Sequence, residues 1–196
     1  MFKVCILAAG LGKRNKTSFY FNKSLLPLDN RASISIIMDQ FPTDTEFVIA
    51  VGHQREILED YLKIAESKRN ITIVYVKNYE GEGSGPGLSL LECKEHLNVP
   101  FIFTSCDTLI DNKINSLNEN WVGVSNVDNP ERFLVFNHLH DKVIDLFDKQ
   151  KKESFLYSIT CPYKAFIGMA GIYDHQDFWS SLEKNKKLIS NELQVS

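Results

Sequence analysis

Short apolar runs recur along the first half of the chain, separated by stretches where apolar residues return every three or four positions. Val4 to Leu7, Phe47 to Val51 and Phe101 to Phe103 are continuous apolar runs of strand length. Such runs suit strands buried on both faces of a parallel sheet. Ile71, Ile73, Val74 and Val76 add another strand. Ile57, Leu58, Tyr61, Leu62 and Ala65 recur at helical spacing, so an amphipathic helix is expected over about 54–67. Ser33 is placed to N-cap a helix running to about Phe41, where Pro42 ends it. A further helix is expected from Pro86 or Gly87 to about Leu97, since proline is accepted in a first turn. Strands alternating with helices to about residue 107 predict an α/β fold, with a mostly parallel, Rossmann-like sheet flanked by helices.

The pattern changes in the second half. Phe133 to His140 and Val143 to Phe147 read as strands flanking a turn at Asp141-Lys142. Phe155 to Ile159 and Ala165 to Tyr173 are further strand candidates, and His175 to about Lys186 reads as a helix. Extra antiparallel strands are therefore expected in the C-terminal half. His138 and His140 alternate along one predicted strand and read as exposed side chains on one face.

Composition narrows the classes. The chain has 196 residues, 43% of them hydrophobic and 24% charged, as an ordinary folded domain has. Length favours one domain. Lys and Arg number 22 against 25 Asp and Glu, a net charge of −3, which argues against a nucleic-acid partner. No apolar run approaches the ~18 residues of a membrane span, so no membrane insertion is expected. The N-terminus lacks the features of a signal peptide, and the cytoplasm is the expected location. Cys5, Cys93, Cys106 and Cys161 form no C-x-x-C pair and read as buried thiols in a reducing compartment. The five histidines show no metal-ligand spacing.

The chemistry concentrates where buried strands end. Leu7-Ala8-Ala9-Gly10-Leu11-Gly12-Lys13-Arg14 follows the first strand. Carboxyl ends of strands form the ligand crevice of an open α/β sheet. Glycines there let backbone N–H groups approach an anion, while Lys13 and Arg14 can neutralise phosphate. A P-loop is excluded because one residue, not four, separates the glycines. A dinucleotide fingerprint is excluded because position 15 is Asn15. With Lys23-Ser24-Leu25-Leu26-Pro27-Leu28 downstream, the loop resembles the signature of the nucleotidyltransferases with a glycosyltransferase-A-like fold. That family usually has proline before the lysine; here it is Asn22.

The resemblance implies a set of roles. Leu7 to Arg14 would cradle a nucleoside triphosphate, Arg14 would contact its β- and γ-phosphates, and Lys23 would contact phosphate in the transition state. Gly85, Pro86, Gly87 and Ser89, in a second glycine-rich stretch before a helix, would hold the nucleobase. Ser105 and Cys106 would join the nucleotide site. Asp107 follows a buried strand and would bind Mg²⁺, a cation that takes oxygen ligands and keeps waters. Residue 109 is Leu109, so the Asp-x-Asp of glycosyltransferases is absent. Phe166 to Tyr173 resembles the family's acceptor-lining strand, which makes Gly171 and Lys164 acceptor contacts. Glu192-Leu193-Gln194-Val195-Ser196 resembles a segment near the acceptor that continues into an aspartate, so Glu192 is a third candidate and a C-terminally truncated domain is expected.

The expected activity follows. A single nucleotidyltransferase domain over 1–196 would bind nucleotide in about 1–110 and acceptor in about 111–196. It would transfer a nucleoside monophosphate, with CTP the favoured donor, to a small phosphorylated acceptor such as phosphoglutamine or phosphocholine, as in bacterial capsule and surface-polysaccharide modification. A sugar-1-phosphate acceptor with UTP or dTTP is the alternative within the class. A non-catalytic nucleotide-sensing module is the alternative outside it.

Overall fold

The computed structural model describes residues 2–12, 21–148, 163–184, 188–189 and 192–193. The chain divides into two compact units, Met1–Trp121 with Ala170–Val195, and Val122–Met169.

In the first unit, β1 (Lys3–Ala8) is followed by a small ribbon of β2 (Pro27–Leu28) and β3 (Arg31–Ala32), then α1 (Ser33–Met38). Next come β4 (Glu46–Val51), α2 (Arg55–Ala65), β5 (Asn70–Tyr75), α3 (Pro86–Cys93) and β6 (Phe101–Ser105). The strands run parallel in the order β5, β4, β1, β6. This sheet with its helices is the predicted Rossmann-like arrangement. Val4, Cys5 and Ile6 of β1 are fully buried, as are Ile49, Ala50 and Val51 of β4. Both faces are therefore covered, which is why these strands read as continuous apolar runs.

The amphipathic helix is α2, and it buries Leu58 and Leu62. It starts at Arg55, one residue later than expected, because Gln54 takes a left-handed conformation (φ 53°). The first helix differs more. Ser33 is its first residue, Ala32 is its N-cap, and it ends at Met38. Ser33 is diverted from capping: its hydroxyl donates instead to the Ser24 carbonyl, 2.9 Å away.

β7 (Trp121–Ser125) begins where the first unit gives way to the second. The second unit adds β8 (Leu134–Leu139), β9 (Lys142–Asp148) and most of β10 (Tyr163–Ile172). β8 pairs antiparallel with both β9 and β10, and β7 pairs with β10. These are the expected extra antiparallel strands. The turn falls at His140-Asp141, one residue earlier than predicted, since Leu139 pairs with Lys142. His140 has φ 54° and lies in the turn, so it does not share a strand face with His138. The strand expected at Phe155 to Ile159 lies outside the described residues.

The chain returns to the first unit through the end of β10 and α4 (His175–Lys184). Trp179 of α4 stacks on Phe101 at 5.2 Å between ring centroids and donates its indole N–H to the Leu97 carbonyl at 3.2 Å. Phe178 meets the same Phe101 edge-on at 5.6 Å. Stacked and edge-to-face aromatic pairs add to the energy of simple burial, so α4 is fixed beside β6. Among the described residues, no helix is long and apolar enough to cross a membrane.

Candidate functional site

The C-terminal ends of β1 and β6 are register neighbours, Leu7 opposite Ser105. The glycine loop leaves β1 there, with Ala8 and Ala9 buried and Gly10 exposed. A Cβ added to Gly10 would meet nothing within 4 Å, so the loop is open on that side. Leu11 and Gly12 are half-buried; Lys13 and Arg14 lie outside the described residues.

Ala9 is packed from behind. Its carbonyl accepts from the His53 backbone N–H at 3.0 Å. A Cβ on Gly52 would sit 2.7 Å from that carbonyl oxygen and 2.7 Å from the Tyr79 Cβ. Only a residue without a side chain lets β4 exit this close to the loop. Gly52→Ala is expected to lower stability by about 1–3 kcal/mol, the usual cost of overpacking, read as a lower thermal midpoint.

Asn22 fixes the next segment. Its side chain is 1% exposed and makes bonds in four directions. Nδ2 donates to the Ala8 carbonyl at 3.1 Å and to the His53 carbonyl at 2.8 Å. Oδ1 accepts from the Ser24 N–H at 3.0 Å and the Ser24 hydroxyl at 2.6 Å, which caps the 3-10 turn Lys23–Leu25. The Ser33 hydroxyl, donated to the Ser24 carbonyl, also lies 3.3 Å from the Cys106 carbonyl. The glycine loop, the Lys23 turn and the end of β6 are thereby tied together.

Lys23 and Asp107, 84 positions apart in the chain, form an ion pair at this junction. Lys23 is 28% and Asp107 48% exposed, so both are reachable from solvent. Ser105 ends β6, half-buried, and its carbonyl accepts from the Thr108 N–H at 3.2 Å.

Cys106 is buried, and desolvation, reinforced by the Asp107 charge, pushes its thiol from an ordinary 9.0 up to about 12. The Cys5 thiol is also held high, by its hydrogen bond with Cys93 and by burial. Both thiols should resist iodoacetamide at about pH 8 in the folded chain and react once it is unfolded, as peptide mapping would show. Unfolding releases both thiols to ionise at their ordinary pKa. The Cys106 contribution to stability is full below about pH 9 and declines as pH rises toward 12, and the Cys5 contribution likewise falls as pH rises.

The second glycine stretch opens α3. Gly85, with φ 130°, is the N-cap and Pro86 the first helical residue, as expected. Ser89 is 7% exposed and its hydroxyl donates back to the Gly85 carbonyl at 3.2 Å, bracing the helix start. Gly87 is buried. A pocket of about 510 Å³ opens at the C-terminal ends of β4 and β5, lined in part by Gly52, His53, Arg55, Lys77 and Tyr79. Neither Lys23 nor Asp107 lines it.

The acceptor candidates fall in different units of the chain. Gly171 is buried in the first unit against the Trp121 indole. Lys164 is half-buried on β10 in the second unit, opposite Phe136. Glu192 belongs to a short strand, Glu192–Leu193, paired antiparallel with Leu188–Ile189.

Asn22, Ser33 and Gly52 shape this candidate site, and no motif singles them out. Asn22 stood out only as a departure from the family pattern, and Ser33 looked like a cap. Gly52 directly follows a buried strand, which is a usable signal for a close backbone approach.

Among the described residues, no three His, Cys, Asp or Glu come together as a metal cluster. Asp107 offers one half-exposed carboxylate. That donor set fits a cation that keeps waters and shares the phosphates of a substrate, not a cage made by protein alone.

No protein-family model matches the chain. A bifunctional protein GlmU of Methanococcus maripaludis is 30% identical over 177 residues, 88% of this chain and 39% of that protein. The chain therefore spans about two fifths of the length of that curated relative. Among solved structures, an apo UDP-glucose pyrophosphorylase aligns with TM-score 0.74 and 20% identity, covering 100% of this chain and 84% of its own. A CTP:phosphocholine cytidylyltransferase of Streptococcus pneumoniae aligns with TM-score 0.72 and 19% identity, covering 94% of this chain and 77% of its own. The two structural likenesses show the fold alone.

Proposed function

We propose that this chain is a nucleotidyltransferase that moves a nucleoside monophosphate from a nucleoside triphosphate to a small phosphorylated acceptor. The observation that carries the reading is the meeting of Lys23 and Asp107 next to the C-terminal ends of β1 and β6, beside the open glycine loop. A phosphate oxygen of the acceptor attacks the α-phosphorus, and that new P–O bond replaces the bond to the bridging oxygen of the β-phosphate. Pyrophosphate leaves with the electron pair.

The chain's own contribution is positioning and charge. Loop N–H groups after Ala8 hold the triphosphate tail, joined by Arg14. Lys23 exchanges its Asp107 partner for a phosphate oxygen and offsets charge that grows as pyrophosphate departs. Asp107, released from the lysine, is the residue to hold Mg²⁺, whose chemistry when bound is to neutralise phosphate oxygens. The base is proposed to lie near Gly85, Pro86, Gly87 and Ser89.

CTP is the proposed donor and phosphocholine or phosphoglutamine the proposed acceptor class, which would place the enzyme in bacterial capsule or surface-polysaccharide modification, in the cytoplasm. The likeness to a phosphocholine cytidylyltransferase supports this assignment. A second reading, UTP or dTTP with a sugar-1-phosphate, is favoured by the likeness to a UDP-glucose pyrophosphorylase.

A coupled assay of pyrophosphate release decides. CTP, UTP, dTTP and GTP are each tested with Mg²⁺ against phosphocholine, phosphoglutamine and sugar-1-phosphates. Release with CTP and an amine- or amide-bearing phosphate is expected; release with UTP or dTTP and a sugar phosphate selects the second reading. No release from any pair would overturn both.

A further inference from the structure

We infer that Asn22 is a positioning residue for the reacting groups: its amide fixes Lys23 relative to the glycine loop, and through Ser24 and Ser33 relative to Asp107. The kinetic part of this inference rests on the nucleotidyltransferase reading; the geometric part does not.

An asparagine side chain has two N–H donors and a carbonyl oxygen with two lone pairs. Here both donors and both acceptor positions are engaged within the protein, and the group is 1% exposed. The donors reach two main-chain carbonyls from separate segments, Ala8 at the end of β1 and His53 after β4. The acceptor holds the first N–H inside the turn that carries Lys23, together with the Ser24 hydroxyl. Asn22 is adjacent to Lys23, so any displacement of the amide is passed directly to the lysine's Cα.

The linkage continues on the other side. Ser24 is fully buried, and its carbonyl receives the Ser33 hydroxyl. That hydroxyl lies 3.3 Å from the carbonyl of Cys106, the residue before Asp107. Lys23 and Asp107 thus stand on neighbouring backbone segments that share one polar network, and the ion pair is its outward-facing end. A network in which every member is satisfied holds one arrangement, whereas removing a member strands buried carbonyls. A proline in place of Asn22, as the resembling pattern has, would supply none of these bonds.

The test uses the full 196-residue chain with Asn22→Ala and Asn22→Asp. The first readout is the acylation rate of the Lys23 amine by a lysine-reactive anhydride, resolved by peptide mass spectrometry, with exposed Lys68 as internal reference. Asn22→Ala should raise the Lys23 rate about tenfold relative to Lys68, since the amine is no longer held against Asp107. The second readout is turnover, where a displacement of about 1 Å from a residue outside the chemistry costs up to about 10²-fold. The loss should fall on kcat, with KM for the triphosphate moving much less.

Asn22→Asp keeps the acceptor side and replaces the donors by an oxygen facing two carbonyls. Burial and those carbonyls favour the protonated carboxyl, which can donate again. Its Lys23 labelling and turnover, each taken as a ratio to the unchanged chain at the same pH, should therefore return toward one as pH is lowered. This arm decides the matter if Asn22→Ala does not fold. Unchanged Lys23 labelling in a folded Asn22→Ala, or a flat ratio for Asn22→Asp across pH, would overturn the inference. An unchanged chain that releases no pyrophosphate would overturn the proposed function while the labelling result still decides the role of Asn22.

Discussion

Asp107→Ala and Lys23→Ala are each expected to lower pyrophosphate release by roughly 10²-fold or more, the scale of losing one charged or donor group at a reacting centre. The loss should come without unfolding. Lys23 and Asp107 are both partly exposed, 28% and 48%. A solvent-reached ion pair contributes about 0–1 kcal/mol to stability, so the thermal midpoint should move by only a few degrees. Activity and stability are thereby separated in one experiment. The double variant sharpens it. If the two side chains exist only to neutralise each other, removing both should restore what removing one took away. If each meets a different oxygen of the substrate during turnover, the double variant should be at least as poor as the worse single one. Near-normal turnover in both single variants, with the fold intact, would end the assignment of these two residues.

How far the sequence already carried this site follows from what its signals encode. The strands β1, β4 and β6 were legible because they are covered on both faces, and coverage leaves a continuous apolar run. Their parallel pairing followed from the helices between them. That the glycine loop and Asp107 lie just past the carboxyl ends of β1 and β6 was legible because each closely follows a continuous apolar run. The hydrogen-bond network was not. Asn22 reaches Ala8 and His53, which are 14 and 31 positions away, and no local spacing encodes such a bond. Ser33 misled for the same reason: a serine before an apolar run looks like a cap, but a carbonyl nearby in space took its hydroxyl. His140 misled because a turn can begin one residue early when its first position accepts a left-handed backbone.

Gly171→Ala is expected to cost about 1–3 kcal/mol or somewhat more, lowering the thermal midpoint by several degrees in a chain of this size. An added Cβ would lie 2.3 Å from Trp121 Nε1, 2.4 Å from its Cε2 and 2.6 Å from Leu117 Cδ1. A real Cβ does not approach atoms this closely, and an indole is a rigid plate that cannot bend aside as a lysine tip would. This glycine therefore has a packing explanation that owes nothing to a substrate. The resemblance that singled it out gives a different one, close approach of an acceptor. Trp121→Phe separates the two, because a phenyl ring lacks the Nε1 and Cε2 positions that the new methyl group would strike. If packing on the indole accounts for Gly171, combining the two changes should recover much of the lost midpoint, a coupling of about 0.5–3 kcal/mol in the double-mutant cycle. If acceptor approach accounts for it, the single variant should instead raise KM for the acceptor, and Trp121→Phe should leave that rise in place. A folded Gly171→Ala with an unchanged midpoint and an unchanged acceptor KM would refute both accounts, since the added methyl group would then have found room that the packing of Trp121 and Leu117 denies it.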